Sequence, residues 1–92
     1  MKMLVIKFEY RGAGYEALVR IKPKETKTEY YITIMNGELE KMLFGYHVII
    51  DENGCLQTGV VPDAETAYLK SKIAGALESH IRPAPVHPEY KN

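Results

Sequence analysis

Residues 63–82 read DAETAYLKSKIAGALESHIR, and the fold follows from deciding that this stretch is a helix. At 100° per residue, Leu69, Ile73, Ala76, Leu77, His80 and Ile81 fall on one side, and Glu65, Tyr68, Ser71, Lys72, Gly75, Glu78 and Ser79 on the other. Asp63, after Pro62, offers a side-chain acceptor to the free amides of the first turn, and Glu65 places negative charge at the positive end of the helix dipole. Arg82, Pro83 and Pro85 end it, because proline cannot continue the amide ladder.

Everything before this helix reads as short strands. Met3 to Tyr10 alternates, with Leu4, Ile6, Phe8 and Tyr10 on one face. Arg11-Gly12-Ala13-Gly14 is a turn, and Tyr15 to Lys22 is a second strand with Tyr15, Ala17, Val19 and Ile21 inward. Pro23 to Glu29 (PKETKTE) has no apolar anchor and reads as an exposed, mobile loop. Tyr30 to Met35 is a third strand. Asn36-Gly37 is a strong hairpin signal, which would set Ile34 opposite Leu39, Tyr31 opposite Met42 and Tyr30 opposite Leu43. The competing reading makes Leu39, Met42 and Leu43 one side of a short helical turn; the strand is the reading adopted. Tyr46 to Asp51 and Cys55 to Val60 follow as strands around an Asp51–Gly54 turn.

Short connections force antiparallel neighbours, since a parallel pair needs a crossover of about a dozen residues. The expectation is therefore an α+β, two-layer fold: an antiparallel meander of five to six strands with one C-terminal helix on one face. It spans a single domain over 1–82, followed by an extended, proline-rich tail over 83–92 (PAPVHPEYKN).

A helix of about 20 residues is roughly 30 Å long and about 10 Å wide, whereas five or six strands spread more than about 20 Å. One helix cannot roof such a sheet. Met3, Val5, Leu18, Tyr31 and Met35 lie out of phase with the inward set and mark the expected interaction surface. Large contiguous apolar patches are uncommon on monomers, and twofold oligomers are the commonest way to cover them. A homodimer through the sheet follows as the expectation; strong twist or closure into a half-barrel is the alternative that would consume the same surface.

Composition narrows the function classes. The chain has 92 residues, 46% apolar and 26% charged, as a folded globular protein should. Its 12 basic and 12 acidic residues cancel. Residues 1–35 carry seven Lys/Arg against four Glu and residues 36–92 five against eight, so the halves stand at +3 and −3. Zero net charge speaks against general binding of nucleic acid or anionic membranes. One cysteine, Cys55, allows no internal disulfide and fits a reducing, cytoplasmic compartment. No run approaches the roughly 18 apolar residues of a membrane span, and Lys7 and Glu9 interrupt the N-terminal apolar run, so neither a leader nor an anchor is expected.

No pattern of residues carries recognisable chemistry. His47, His80 and His87 are not spaced from one another or from Cys55 as metal ligands or a catalytic set would be. His80 in the helix stripe reads as a cap or packing residue, Cys55 lacks a basic neighbour to activate it, and Ser71 and Ser79 have no nucleophile-elbow context. Gly12-Ala13-Gly14 joins two strands, whereas phosphate loops lead into a helix. No catalytic residue, metal or cofactor is assigned. Seven tyrosines and two phenylalanines, some near Lys22, Lys24 and Lys27, raise a single-strand nucleic-acid platform as a lesser alternative. Gly75, in mid-helix, costs roughly 0.8–1 kcal/mol against alanine.

Residues 45–81 begin GYHVIIDENGCLQTG and pass into an acidic helix start. They resemble the strand-turn-strand-helix portion of HicB-type antitoxins, in which a Gly-Tyr strand, a Gly-Cys turn and a glycine precede a helix. The likeness covers two fifths of the chain, lacks the family's turn proline and leaves the first 44 residues unmatched. It would imply a binding protein that occludes a small partner without catalysis of its own. The leading expectation is a non-enzymatic binding or assembly module, homodimeric through its sheet.

Overall fold

The computed structural model describes residues 2–82; the expectations for the 83–92 tail and for His87 fall outside them. The arrangement is α+β. Five strands form one antiparallel sheet in the order β1-β2-β3-β4-β5: β1 (Lys2–Tyr10), β2 (Ala13–Pro23), β3 (Lys27–Ile34), β4 (Val48–Glu52) and β5 (Cys55–Gln57). Helix α1 (Gly37–Leu43) lies between β3 and β4, and helix α2 (Ala64–Ile81) follows β5.

The first hairpin closes on two residues. Arg11 (φ 53°) and Gly12 (φ 80°) are both left-handed, the turn geometry whose twist matches that of the flanking strands. Tyr10 pairs with Ala13, and the register runs back to Lys2 opposite Ile21. Arg11 carries a Cβ into this conformation, where the steric cost is about 1–2 kcal/mol. Its side chain is tied across the structure: Nε donates to Glu65 Oε2 at 2.7 Å and Nη2 to Oε1 at 2.5 Å. The Tyr10 hydroxyl donates to the same carboxylate. The first turn of α2 is thereby fastened to the β1–β2 hairpin.

Three expectations change. The segment 23–29 is not a loop: Lys22 pairs with Glu29, Pro23 with Thr28 and Lys27 with Glu52, leaving only residues 24–26 outside strands. Charge replaces apolar burial here, with Lys22 opposite Glu29 and Lys27 Nζ 3.9 Å from Glu29. Residues 38–43 are helix and not strand, because Asn36 is extended (φ −159°) and its Oδ1 accepts the Leu39 N–H at 3.0 Å, capping α1. The last strand is shorter than expected: β5 ends at Gln57 and not at Val60, while the five strands among the described residues fall within the expected five to six.

The helix on which the fold turns starts and stops as its caps require. Asp63 Oδ2 accepts the Thr66 N–H at 2.9 Å, and the Arg82 N–H returns to the Glu78 carbonyl at 2.8 Å. Its buried stripe is Thr66, Leu69, Lys70, Ile73 and Leu77. His80 is exposed, contrary to expectation, and Lys70 is buried in its place. The Lys70 ammonium reaches the Thr58 carbonyl at 2.5 Å while its stem lies along the core. Burial moves its pKa down.

The core lies between the helices and one face of the sheet. Ile6, Phe8, Tyr10, Ala17, Val19, Tyr30, Ile32, Ile34 and Ile49 descend from the strands, and Leu39, Leu43, Leu69, Ile73 and Leu77 come from the helices. Full burial of each helical Leu or Ile is worth roughly 1.5–3 kcal/mol. The sheet therefore has two helices as its roof, so the premise that a single helix must leave the inner face bare does not hold. The apolar surface that remains belongs to the other face.

Candidate interaction surface

That other face is built by the odd residues of β1, the even residues of β2 and the odd residues of β3, through the period-two alternation of strands. Register aligns them in rows: Met3 with Arg20, Tyr31 and Val48; Val5 with Leu18 and Thr33; Lys7 with Glu16. Met35 extends the last row by donating its N–H to the Glu16 carbonyl at 2.9 Å. Met3, Val5, Leu18, Tyr31 and Met35, the residues singled out by phase, thus share one uncovered face. Met3 is 61% exposed, Met35 52% and Val5 47%, while Leu18 and Tyr31 are half-buried between neighbours.

Charged side chains frame these aliphatic groups. The Arg20 guanidinium lies 5.6 Å and the Lys22 ammonium 4.9 Å from the centroid of the Tyr31 ring, whose hydroxyl donates to Glu29 Oε1 at 2.9 Å. The hydrogen bond to Glu29 raises the Tyr31 pKa, with some help from desolvation. The Tyr31 ring is thus already occupied by protein cations, which is poor preparation for stacking a base. Lys24 and Lys27 sit at the far β2–β3 end, with Lys27 beside Glu29. Beyond Val5 and Leu18 the face sinks into a shallow depression of about 590 Å³ lined by Lys7, Glu9, Gly14, Glu16 and Met35. Gly14 stands opposite Glu9 and contributes no side chain, which is why the surface is open there.

A second constellation was not legible. From α1, Glu40 Oε1 accepts the Ile34 N–H at 2.8 Å, while Oε2 lies 2.8 Å from His47 Nε2. The His47 ring meets Phe44 edge-on, and its carbonyl accepts the Ile32 N–H at 2.9 Å. A cleft of about 420 Å³ opens beside this pair, lined also by Arg20, Tyr31, Thr33, Gly45 and Val48. Position explains the pair: His47 continues the β3–β4 ladder past Val48, and the carboxylate of Glu40 takes the next backbone donor of β3 in place of a strand. The only signal for it was the spacing Leu39, Met42, Leu43, which marks α1 and so puts Glu40 beside β3.

An imidazole against a carboxylate can exchange a proton, yet this cleft brings no cysteine or serine to it. Cys55 is exposed on β5 opposite Glu52, and His80, Ser71 and Ser79 are exposed on α2. Among the described residues no three His, Cys, Asp or Glu side chains converge as metal ligands would, and no helix is long and apolar enough to cross a membrane. Comparison with protein-family models, curated protein sequences and solved structures finds no match to this chain.

Proposed function

We propose that the chain is a non-enzymatic binding or assembly module that forms a homodimer through its sheet, in a reducing, cytoplasmic compartment suited to its single exposed cysteine. The observation that supports this reading is the gathering of Met3, Val5, Leu18 and Met35 on the one sheet face that neither helix covers. Aliphatic groups so placed gain by leaving water, at roughly 25 cal/mol per Å². The surrounding Lys7, Glu16, Arg20 and Glu29 supply both signs of charge, so a second copy can answer each with its opposite. The engagement of both Glu40 oxygens, one with backbone, favours a structural role for the His47 pair over a catalytic one.

Light scattering on the eluting protein at tens of micromolar tests the association: a mass at least twice the 10.5 kDa of one chain is expected. The doubly substituted Met3→Glu, Leu18→Glu chain should elute at half the wild-type mass with an unchanged circular dichroism spectrum, because both residues sit on the uncovered face. A strictly monomeric wild-type chain overturns the reading.

The second reading, a nucleic-acid binder or an antitoxin-like occluder, takes its support from Arg20 and Lys22 around Tyr31. It predicts oligonucleotide retention that weakens steeply with salt. Binding that survives Lys22→Glu, Lys24→Glu and Lys27→Glu together would remove the nucleic-acid form.

A further inference from the structure

The sheet has two free edges of different character. β5 is three residues long and presents little to a partner, whereas β1 runs for nine residues with nothing among the described residues paired to its outer side. A long uncovered edge is a template for another strand. Which backbone groups it offers is set by register. The Glu16 carbonyl is turned toward β3, where it accepts the Met35 N–H. The Lys7–Glu16 pair is therefore a non-hydrogen-bonded one, so the N–H and C=O of Lys7 point outward, as do those of Val5 and Glu9 by the same alternation.

Beside these groups, between the β1 edge and α2, runs a cleft of about 420 Å³. Its β1 wall is Lys7, Phe8 and Glu9, so it is centred on Phe8; its helix wall includes Ser71, Gly75 and Ser79, one turn apart. A side chain added at Gly75 would meet nothing within 4 Å. The helix thus accepts a glycine in its interior and keeps the flank of the edge clear.

The geometry points to a second copy of this chain as the occupant, its β1 laid antiparallel against the first about a twofold axis at Phe8. In that register Lys7 stands opposite the other copy's Glu9 and Glu9 opposite its Lys7, both on the uncovered face and both through outward backbone groups. Ile6 and Tyr10 meet across the inner face. Shifting the axis one residue either way sets lysine against lysine or glutamate against glutamate, which is repulsive at directly opposed positions. A lone lysine on an edge keeps copies apart; a lysine and a glutamate two residues apart favour the register about Phe8, in which each meets the opposite charge. The result is a continuous ten-stranded sheet with the two α2 helices side by side at Gly75. This contact is separate from the one proposed for the sheet face, and a closed assembly using both contains at least four chains.

Three variants of the full chain test it by light scattering and amide exchange, each also made with Met3→Glu and Leu18→Glu so that the face contact is absent. Lys7→Glu and Glu9→Lys should each raise the dimer dissociation constant roughly tenfold or more, and the two together should restore it. Gly75→Gln should unfold at the same temperature as its parent, or higher, and not dimerise. In the dimer the Lys7 and Glu9 amides should exchange more slowly than in the Gly75→Gln monomer. The edge contact is overturned if the face-blocked parent is monomeric while the wild type dimerises, if the charge-swapped pair behaves like either single variant, or if Gly75→Gln dimerises normally.

Discussion

Asparagine followed by glycine occurs twice in this chain, and the two copies of the same dipeptide do opposite things. At 53–54 both residues are left-handed, with φ 57° and 79°, and they close the β4–β5 hairpin on the pair Glu52–Cys55. At 36–37 the asparagine is extended, its side chain accepts the Leu39 N–H, and the chain enters a helix. The dipeptide alone does not choose. The residues after it do: Cys55-Leu56-Gln57 offers one half-buried side chain to the sheet, whereas Glu38 to Leu43 sets Leu39 and Leu43 one turn apart beneath β3. Burial of two leucines outweighs the turn preference of Asn-Gly by several kcal/mol.

The largest effect that would break this comparison is removal of that burial. Leu43 is fully buried, so Leu43→Ala should cost about 2–5 kcal/mol in denaturant unfolding. Leu56→Ala, at the corresponding place after the second dipeptide, should cost only about 1 kcal/mol because the side chain is half exposed. Equal losses would show that α1 is not what distinguishes the two sites.

The glycines should respond with opposite sign to one substitution. Gly54→Ala forces a Cβ into the left-handed region and should lower stability by about 1–2 kcal/mol. Gly37 opens a helix, has no positive φ and faces open space, so Gly37→Ala should raise stability by about 0.5–1 kcal/mol. Paired thermal melts measure the difference directly. A smaller effect separates the asparagines: Asn36→Ala removes a cap and should cost about 1 kcal/mol, and Asn36→Ser should recover most of it. A hairpin turn at 36–37 would instead respond to both substitutions alike.

How far the sequence could be read follows the same division. Strand phase has a period of two and survives small errors in boundaries, so the grouping of Met3, Val5, Leu18, Tyr31 and Met35 on one face was legible from alternation alone. The caps of α2 were legible because Asp63 and the prolines act within one turn. The Glu40–His47 pair was not, since it needs α1 and the bend after Gly45 to bring together residues seven apart in sequence. Lys70 was missed because a lysine counts as polar in any periodicity, although its four-carbon stem packs as an aliphatic chain. The extended β2–β3 hairpin was missed because paired charges, Lys22 with Glu29 and Lys27 with Glu52, did what apolar residues usually do.

Another two-residue turn, Arg11-Gly12, sharpens the comparison and gives the smallest effect. It has the conformation of Asn53-Gly54 with arginine in the asparagine position, and of the two it is the one that, among the described residues, is hydrogen-bonded to a helix. Hydrogen bonds from Arg11, and then from Tyr10, hold the Glu65 pKa below its usual value. A carboxylate depressed in the folded state adds stability above its unfolded pKa, near 4.5, and loses it as pH falls through the folded value. Tyr10 moves the other way: its bond to Glu65, reinforced by burial, raises its pKa, so its share is present below the unfolded value of 10.0 and is lost as pH rises through the folded one. Both partners of the Arg11–Glu65 bridge are substantially solvated, which keeps the effect small. Glu65→Gln should therefore lower the melting temperature slightly at neutral pH and, by the same amount, flatten the fall below pH 4.5 and the fall above pH 10 together. An unaltered acid limb in Glu65→Gln would mean that the arginine turn stands by its own backbone, as Asn53-Gly54 does, without help from α2.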